Sequence, residues 1–291
     1  MMDCEKCERK AVFDEPSLCK VHFLEYFEAK VEKTINEHKL LEKDEKICVA
    51  VSGGKDSLSV LFVLDKLGYD VSGLFIDEGI ANYREFTEKD LVSFCNNNKI
   101  KLRTVRYKEE LGKGLDEILT KHKDWKPCTV CGTFRRSLLN KHARGFDKIA
   151  TGHNLDDEAQ AILMNLLRSN TDFLARLGPK SGVKEQKGFV QRVKPLYFCT
   201  EKETAAFSFL NGFTTHFAEC PYVVEAFRAD VRDLLNGYES VHHGTKKNII
   251  NHFLKMMPDL KVDGQELEAC ESCGQPSAGE ICNACKLVDR L

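Results

Sequence analysis

Short apolar runs alternate along this chain with stretches whose apolar residues recur at helical spacing. Lys46-Ile47-Cys48-Val49-Ala50-Val51 reads as a buried strand and runs straight into Ser52-Gly53-Gly54-Lys55-Asp56-Ser57. Leu58, Leu61, Phe62, Leu64 and Leu67 then follow with the period of a helix. Val71 to Asp77 and Ile100 to Arg106 read as further strands. Periodicity places the intervening helices at about 56–68, 82–98, 110–122 and 132–145. Such alternation predicts an α/β fold, a parallel sheet with helices on both faces and ligands at the carboxyl ends of its strands. The mixed-sign run Glu42 to Lys46 fits a solvated linker ahead of that core.

Composition narrows the class. With 291 residues, 42% hydrophobic, 30% charged and 7 prolines, the chain is globular, and disorder and collagen-like structure are excluded. Its apolar runs fall far short of the roughly 20 residues that span a bilayer, so no membrane partner is expected. The charged start, Met1-Met2-Asp3-Cys4-Glu5-Lys6, lacks the apolar stretch of a signal peptide, which makes a cytoplasmic location the expectation. Forty-three basic and 45 acidic residues leave a net charge of -2, so any nucleic-acid binding has to come from local patches. Thirteen cysteines in a reducing compartment point to metal or catalysis instead of disulfides.

Spacing sorts these cysteines. Cys4-x2-Cys7 with Cys19-x2-His22, and Cys270-x2-Cys273 with Cys282-x2-Cys285, each offer two close pairs, the ligand arrangement of a tetrahedral structural zinc. Segments this small cannot bury enough apolar surface to hold themselves, so bound metal would supply their folding free energy. Cys128-Thr129-Val130-Cys131 is a lone pair in the interior, and spacing alone leaves a redox dithiol and a metal site equally open. A metal there needs a distant partner, and Cys220, in Glu219-Cys220-Pro221-Tyr222, is the best placed. Cys48 and Cys95 lie in apolar surroundings and read as buried small hydrophobes.

The strand, glycine loop and helix at 46–67 carry the strongest chemical signal. Two glycines let the backbone approach a phosphate, and the new helix points free N–H groups at the anion. The Walker pattern and GxGxxG are both absent. Ser52-Gly53-Gly54-Lys55-Asp56-Ser57 resembles the PP-loop of ATP pyrophosphatases, which cleave ATP to AMP and pyrophosphate while adenylating an acceptor. Lys148 to Glu158, with Gly152-His153-Asn154-Leu155-Asp156-Asp157, resembles that family's second motif, a strand opening a helix. Asp156 and Asp157 at a helix N-terminus are placed to hold Mg2+ against phosphates, and His153 reads as a positioning residue. The implied fold is the adenine nucleotide alpha hydrolase-like type. The implied ATP site covers Ala50, Val51, Ser52, Gly53, Gly54, Lys55, Asp56, Ser57, Gly152, His153, Asp156 and Asp157, with Phe75, Ile76 and Asp77 flanking the adenine.

Over nearly the whole chain the resemblance narrows to the two-zinc-finger tRNA 2-thiolation proteins. Besides the motifs above, Cys128-x2-Cys131-Gly132 followed by Arg135-Arg136, Glu219-Cys220-Pro221 and the terminal cysteine pairs stand in that family's order. The resemblance implies a 4Fe-4S cluster on Cys128, Cys131 and Cys220, one iron being left open to carry sulfur. It implies adenylation of the carbon-2 oxygen of a tRNA uridine and its replacement by sulfur, with Lys55, Asp56 and Asp156 in catalytic roles. The sulfur donor would be sulfide or a thiocarboxylated ubiquitin-like protein; a delivering persulfide on Cys128 and Cys131 stays open, as does a homodimer. The target uridine lies at the wobble position or in the T loop, and His22 tilts the reading towards the T-loop branch.

The corresponding organisation is a zinc finger and linking helix at 1–40, the catalytic domain at 41–262 and a second zinc finger at 263–291. Basic residues near the interior pair, Lys126, Arg135, Arg136 and Lys141 among them, form a candidate RNA surface with Trp125 as a base-stacking or packing residue. Lys246 and Lys247 add to it on an amphipathic helix between Ser240 and Pro258. Two rival functions are a PP-loop ligase or amidating enzyme, which would not need Cys128, Cys131 and Cys220, and a non-enzymatic zinc-finger RNA-binding protein.

Overall fold

The computed structural model of the chain describes residues 2–181, 189–214, 220–222, 227–260 and 268–291. Glu219 and the boundary expected at 262/263 lie outside these residues.

The N-terminal segment folds as a two-stranded hairpin, β1 (Phe13–Asp14) and β2 (Ser17–Leu18), followed by α1 (Lys20–Glu37). Phe23, Phe27, Val31 and Ile35 recur at helical spacing along α1 and are fully buried. The central sheet begins with β3 (Lys46–Val51), which passes through the glycine loop into α2 (Lys55–Lys66), then β4 (Asp70–Asp77), α3 (Arg84–Asn97) and β5 (Lys101–Arg106). α4 (Tyr107–Leu111), α5 (Leu115–Lys121) and α6 (Pro127–His142) lead to β6 (Lys148–Thr151) and α7 (Leu155–Leu167). A short α8 (Thr171–Leu174) precedes β7 (Lys180–Ser181) and β8 (Gln191–Val193). Then come α9 (Glu201–Leu210), α10 (Phe227–Val241), α11 (Thr245–Met256), the pair β9 (Glu268–Ala269) and β10 (Pro276–Ser277), and α12 (Asn283–Val288).

The six strands lie in the order β5-β4-β3-β6-β8-β7, all parallel except β7 at one edge. From β3 the chain steps outward through β4 to β5, then returns to place β6 on the other side of β3. The strand order therefore reverses between β3 and β6, where open α/β sheets leave a crevice at the carboxyl ends of their strands.

Three expectations are corrected. The helix expected over 110–122 is two, because Gly112 adopts φ 74° and ends α4, and Gly114 caps α5. α6 starts at Pro127, ahead of the expected 132, with proline in the first turn where its missing N–H costs nothing. The Cys128–Cys131 pair therefore sits on the first turn of a helix and not in the loop before it. Strands β7 and β8 were not foreseen, being two and three residues long.

Both terminal modules are built onto the core. Phe27 of α1 stacks on Phe207 of α9 with ring centroids 4.2 Å apart, and Lys30 bonds the buried Glu203 carboxylate at 2.7 and 2.8 Å. At the other end α12 packs on α6, Gln275 donates to the Ser137 hydroxyl at 3.1 Å, and the Lys113 ammonium reaches the Leu291 carbonyl. Among the described residues no helix is long and apolar enough to cross a membrane.

Candidate active site and metal sites

The Ser52–Ser57 loop sits at the carboxyl end of β3, beside the crevice. Gly53 adopts φ 81°, and a Cβ there would lie 2.2 Å from Thr87 Cγ2, so only glycine fits. Gly152, at the end of β6, lets the second motif approach; its Cβ would meet the Ser57 nitrogen at 2.8 Å. The Ser57 hydroxyl accepts from the Ser52 N–H at 3.1 Å and donates to the Gly54 carbonyl at 2.9 Å. Ser57 therefore closes the loop on itself, while Ser52 is the exposed hydroxyl.

Lys55 points its ammonium at Asp56, 3.0 Å away, and at Glu201 of α9, 3.1 Å away. Desolvation works against its charge, but these two carboxylates hold its pKa above the ordinary value. Burial raises the pKa of Asp56 against the pull of Lys55, with Asp157 adding to the rise. Asp157 is likewise raised by burial, although Arg228 lies 2.6 Å away. Two reluctant carboxylates beside a phosphate-type loop would both be relieved by a cation.

Asp156 is a different case. Its carboxylate is buried, accepts the Glu201 N–H at 2.8 Å and is ion-paired to Lys246, whose own side chain is buried as well. That corrects two expectations. Asp156 is committed to holding α11 and α9 onto α7, whereas Asp56 and Asp157 stand at the loop in partly exposed ion pairs with Lys55 and Arg228. Lys246 is not on an RNA-facing surface, since its ammonium is turned inward onto Asp156 and Asn236. Phe75 and Ile76, expected to flank the adenine, have buried side chains, Phe75 beneath the Arg84 guanidinium, so only their main chain at the carboxyl end of β4 is left to meet a nucleotide.

The interior cysteines come together through α6 and the Cys220–Tyr222 segment. Cys128 Sγ lies 3.6 Å from the Tyr222 carbonyl, and Cys131, Cys220 and Tyr222 pack against one core cluster. Tyr107 donates to the Cys131 carbonyl at 2.8 Å, and the Tyr222 hydroxyl to Asp116 at 2.7 Å. Burial pushes the Cys131 thiol up to about 11, with Glu78 adding to the rise, and burial raises Cys220 as well. A reactive dithiol needs the opposite shift, so the environment disfavours that reading; bound metal would supply the charge that keeps these sulfurs as thiolates.

The terminal sets have the dimensions of single-ion sites. Among the described residues only Cys4, Cys7, Cys19 and His22, and Cys270, Cys273, Cys282 and Cys285, gather their ligand atoms within 4.8 Å of one another. Cys7 and Cys19 sulfurs are 3.8 Å apart and those of Cys273 and Cys282 are 3.7 Å apart. A tetrahedron with zinc–sulfur bonds of about 2.3 Å has edges of about 3.8 Å. Desolvation opposes ionisation of Cys4 and Cys270, but backbone hydrogen bonds at Cys19 and at Cys282 lead the contacts that bring each down to about 6.

Similarity to known proteins agrees with this geometry. A family model described as a PP-loop domain matches residues 24–219. A tRNA-5-methyluridine(54) 2-sulfurtransferase of Pyrococcus horikoshii is 43% identical over 98% of this chain and 93% of its own length. The tRNA 2-thiolation protein NcsA of Haloferax volcanii is 33% identical over 100% of this chain and 99% of its own. The chain belongs to the PP-loop tRNA 2-thiolation family. In solved form, the U34-tRNA thiolase NcsA from Methanococcus maripaludis, with its [4Fe-4S] cluster, is similar with a TM-score of 0.87 and 31% identity, covering 100% of this chain and 97% of that one.

For a member of this family, the cations near the crevice matter next. Lys126, Arg135, Arg136, Lys141 and Lys247 are exposed. Lys141 is engaged by Glu110 at 2.6 Å. Trp125 resolves to packing: it is 9% exposed, stacked on His122 and covered by Arg290. His153 bonds Thr151 at 2.9 Å, and although its ring reaches solvent, desolvation and the cations Lys194, Arg228, Arg135 and Arg192 keep its pKa low and the ring neutral at pH 7. Several partners escaped the sequence reading: Glu78 with Arg84, Glu158 with Lys194, Asp157 with Arg228, and Glu201 with Lys55. Their only signal was charge on otherwise apolar elements.

Proposed function

We propose that this chain is an ATP-dependent tRNA-uridine 2-sulfurtransferase, with 5-methyluridine at position 54 as its favoured target. The observation that carries the reading is that a phosphate-type loop stands at the sheet's switch point while Tyr107, directly after β5, bonds the Cys131 carbonyl and Cys128 meets the segment that carries Cys220, at the same carboxyl end of the sheet. Relatives named for position 54, from Pyrococcus horikoshii and from Thermus thermophilus at 37% identity over 100% of this chain, favour that uridine. A cytoplasmic location accords with the name of a Drosophila mojavensis relative, cytoplasmic tRNA 2-thiolation protein 1.

In this reading ATP lies on Ser52 to Ser57, and the uracil oxygen attacks its α-phosphate to give an adenylated base and pyrophosphate. Lys55 leaves Asp56 and Glu201 to neutralise the charge developing on phosphate, while Asp56 and Asp157 hold Mg2+. Sulfur then enters at carbon 2 and AMP leaves with the original oxygen. A 4Fe-4S group held by Cys128, Cys131 and Cys220 would offer an iron for the incoming sulfur, drawn from sulfide or a thiocarboxylated carrier. Zinc on Cys4, Cys7, Cys19 and His22, and on Cys270, Cys273, Cys282 and Cys285, would add stability to the modules at 1–40 and 263–291, which are also anchored to the core by α1 and α12. Arg136, Lys126 and Lys247 contact tRNA phosphates, while Arg135 is turned towards Glu78.

The test is anaerobic turnover with tRNA that carries 5-methyluridine at position 54 but no 2-thiolation, following AMP and locating the 2-thiolated nucleoside by mass spectrometry. Lys55→Met should cut AMP formation by about 10²–10³ while tRNA binding survives. Thiolation at position 34 alone would overturn the choice of uridine. AMP production without any thiolation, or unchanged turnover in Cys220→Ala, would overturn the reaction.

A further inference from the structure

Glu78 follows β4 directly and is completely buried, yet two arginines from different helices reach it. Arg84, at the start of α3, grips both carboxylate oxygens through Nε and Nη2. Its remaining nitrogen, Nη1, donates to the Ser52 carbonyl at 3.2 Å. The carbonyl and the following N–H of a trans peptide point in opposite directions. Holding the Ser52 carbonyl therefore sets the Gly53 N–H on the far side of the peptide, the side left for phosphate. On the other flank, Arg135 Nη1 lies 3.6 Å from Glu78 Oε1. Arg135 is one helical turn beyond Cys131 on α6, so it shares a face with that cysteine.

One arginine already neutralises a buried carboxylate. A second cation leaves the trio with a surplus positive charge, costly so close to the interior unless anions stand nearby. With nucleotide and cluster bound, the trio would have an anion at each end: phosphates above the loop and the cluster-bound thiolates beside Arg135. Arg84 and Arg135 both act electrostatically on Cys131. We infer that Arg84, Glu78 and Arg135 form a positioning relay that couples nucleotide binding in the Ser52–Ser57 loop to the cysteine triad on α6. ATP then binds more tightly when the cluster is in place, and by linkage ATP alters the cluster's environment. The inference rests on the assignment of ATP and cluster made above.

The test uses the full chain, once with zinc only and once after anaerobic cluster reconstitution. Affinity for a non-hydrolysable ATP analogue is measured by calorimetry, and the reduced cluster is followed by electron paramagnetic resonance with and without that analogue. In the wild type, cluster loading should tighten nucleotide binding at least about fivefold, and the analogue should shift the resonance. Arg135→Gln, at a half-exposed residue, should keep its iron content and its zinc-only affinity while losing both the tightening and the shift. Glu78→Gln should lose them too, and also bind nucleotide more weakly in the zinc-only form because Arg84 no longer fixes the Ser52 carbonyl. Full coupling in Arg135→Gln, or none in an iron-loaded wild type, overturns the relay. A wild-type chain that holds no iron or binds no nucleotide overturns the underlying assignment instead.

Discussion

At the scale of single residues, Asp157 shows how a site stores its own discomfort. Burial raises its pKa above the ordinary carboxylate value, so the folded chain holds this proton more tightly than the unfolded one. A raised acid weakens the fold as pH climbs through its pKa and has no effect once both states are protonated. Asp157→Asn should therefore raise the melting temperature at pH 7 by on the order of 2 °C, a gain that fades as pH falls into the carboxylate range. Magnesium-dependent AMP formation should drop steeply in the same variant. Differential scanning at several pH values beside an AMP assay checks both; a lower melting temperature at pH 7 would refute the account. The position of Asp157 beside the loop was legible in the sequence because it depends on a local motif. That of Asp156 was not: the two acids are neighbours in the same helical turn, and only the approach of Lys246 from α11 sends one inward. A lysine on an amphipathic helix looks the same in sequence whether its ammonium meets water or a buried carboxylate.

At the scale of elements, β3, β4, β5 and the loop after β3 could be read directly, since β-branched runs and glycines at strand ends are local signals, whereas β6 came only through the motif that Lys148 to Glu158 resembles. The split between α4 and α5 turned on one left-handed glycine, and β7 and β8 are too short to carry a period. The metal modules were equally legible from their paired spacing, and their chemistry yields a further prediction. Cys4 and Cys270 are down at about 6 without metal, so at pH 7 each is already a thiolate. Zinc uptake by the metal-free N-terminal set at pH 7 should then release fewer than three protons, because Cys4 has none to give. Below pH 6 that proton must also be displaced, so release should rise and zinc affinity fall. Calorimetry in buffers of different ionisation enthalpy measures the count; three protons per zinc at pH 7 would contradict the local environment described for Cys4.

At the scale of the whole molecule, the two metal modules are attached to different halves of the enzyme. The N-terminal module joins the core through α1 and α9, where Phe27 stacks on Phe207 and Lys30 meets Glu203. The C-terminal module instead grips the helix that carries Cys128 and Cys131. Gln275 lies 3.1 Å from Ser137 and 3.5 Å from Asn140, Arg290 covers Trp125, and Cys282, Leu287 and Leu291 pack against the same buried cluster as Cys131 and Cys220. Metal bound in that module would thus be linked to the geometry of the interior triad, whereas the contacts given above for the N-terminal module, among the described residues, run to α9 instead. Cys273 is exposed, so Cys273→Ser removes a ligand without carving a cavity in the core. That variant should lose one zinc and, with it, on the order of half of the iron retained after anaerobic reconstitution. Cys7→Ser should lose the other zinc and keep its iron. Iron and zinc counted per chain in both variants decide the point: full iron in Cys273→Ser would mean that α6 holds its cysteines without help, and equal iron loss in both would mean that zinc acts through global stability.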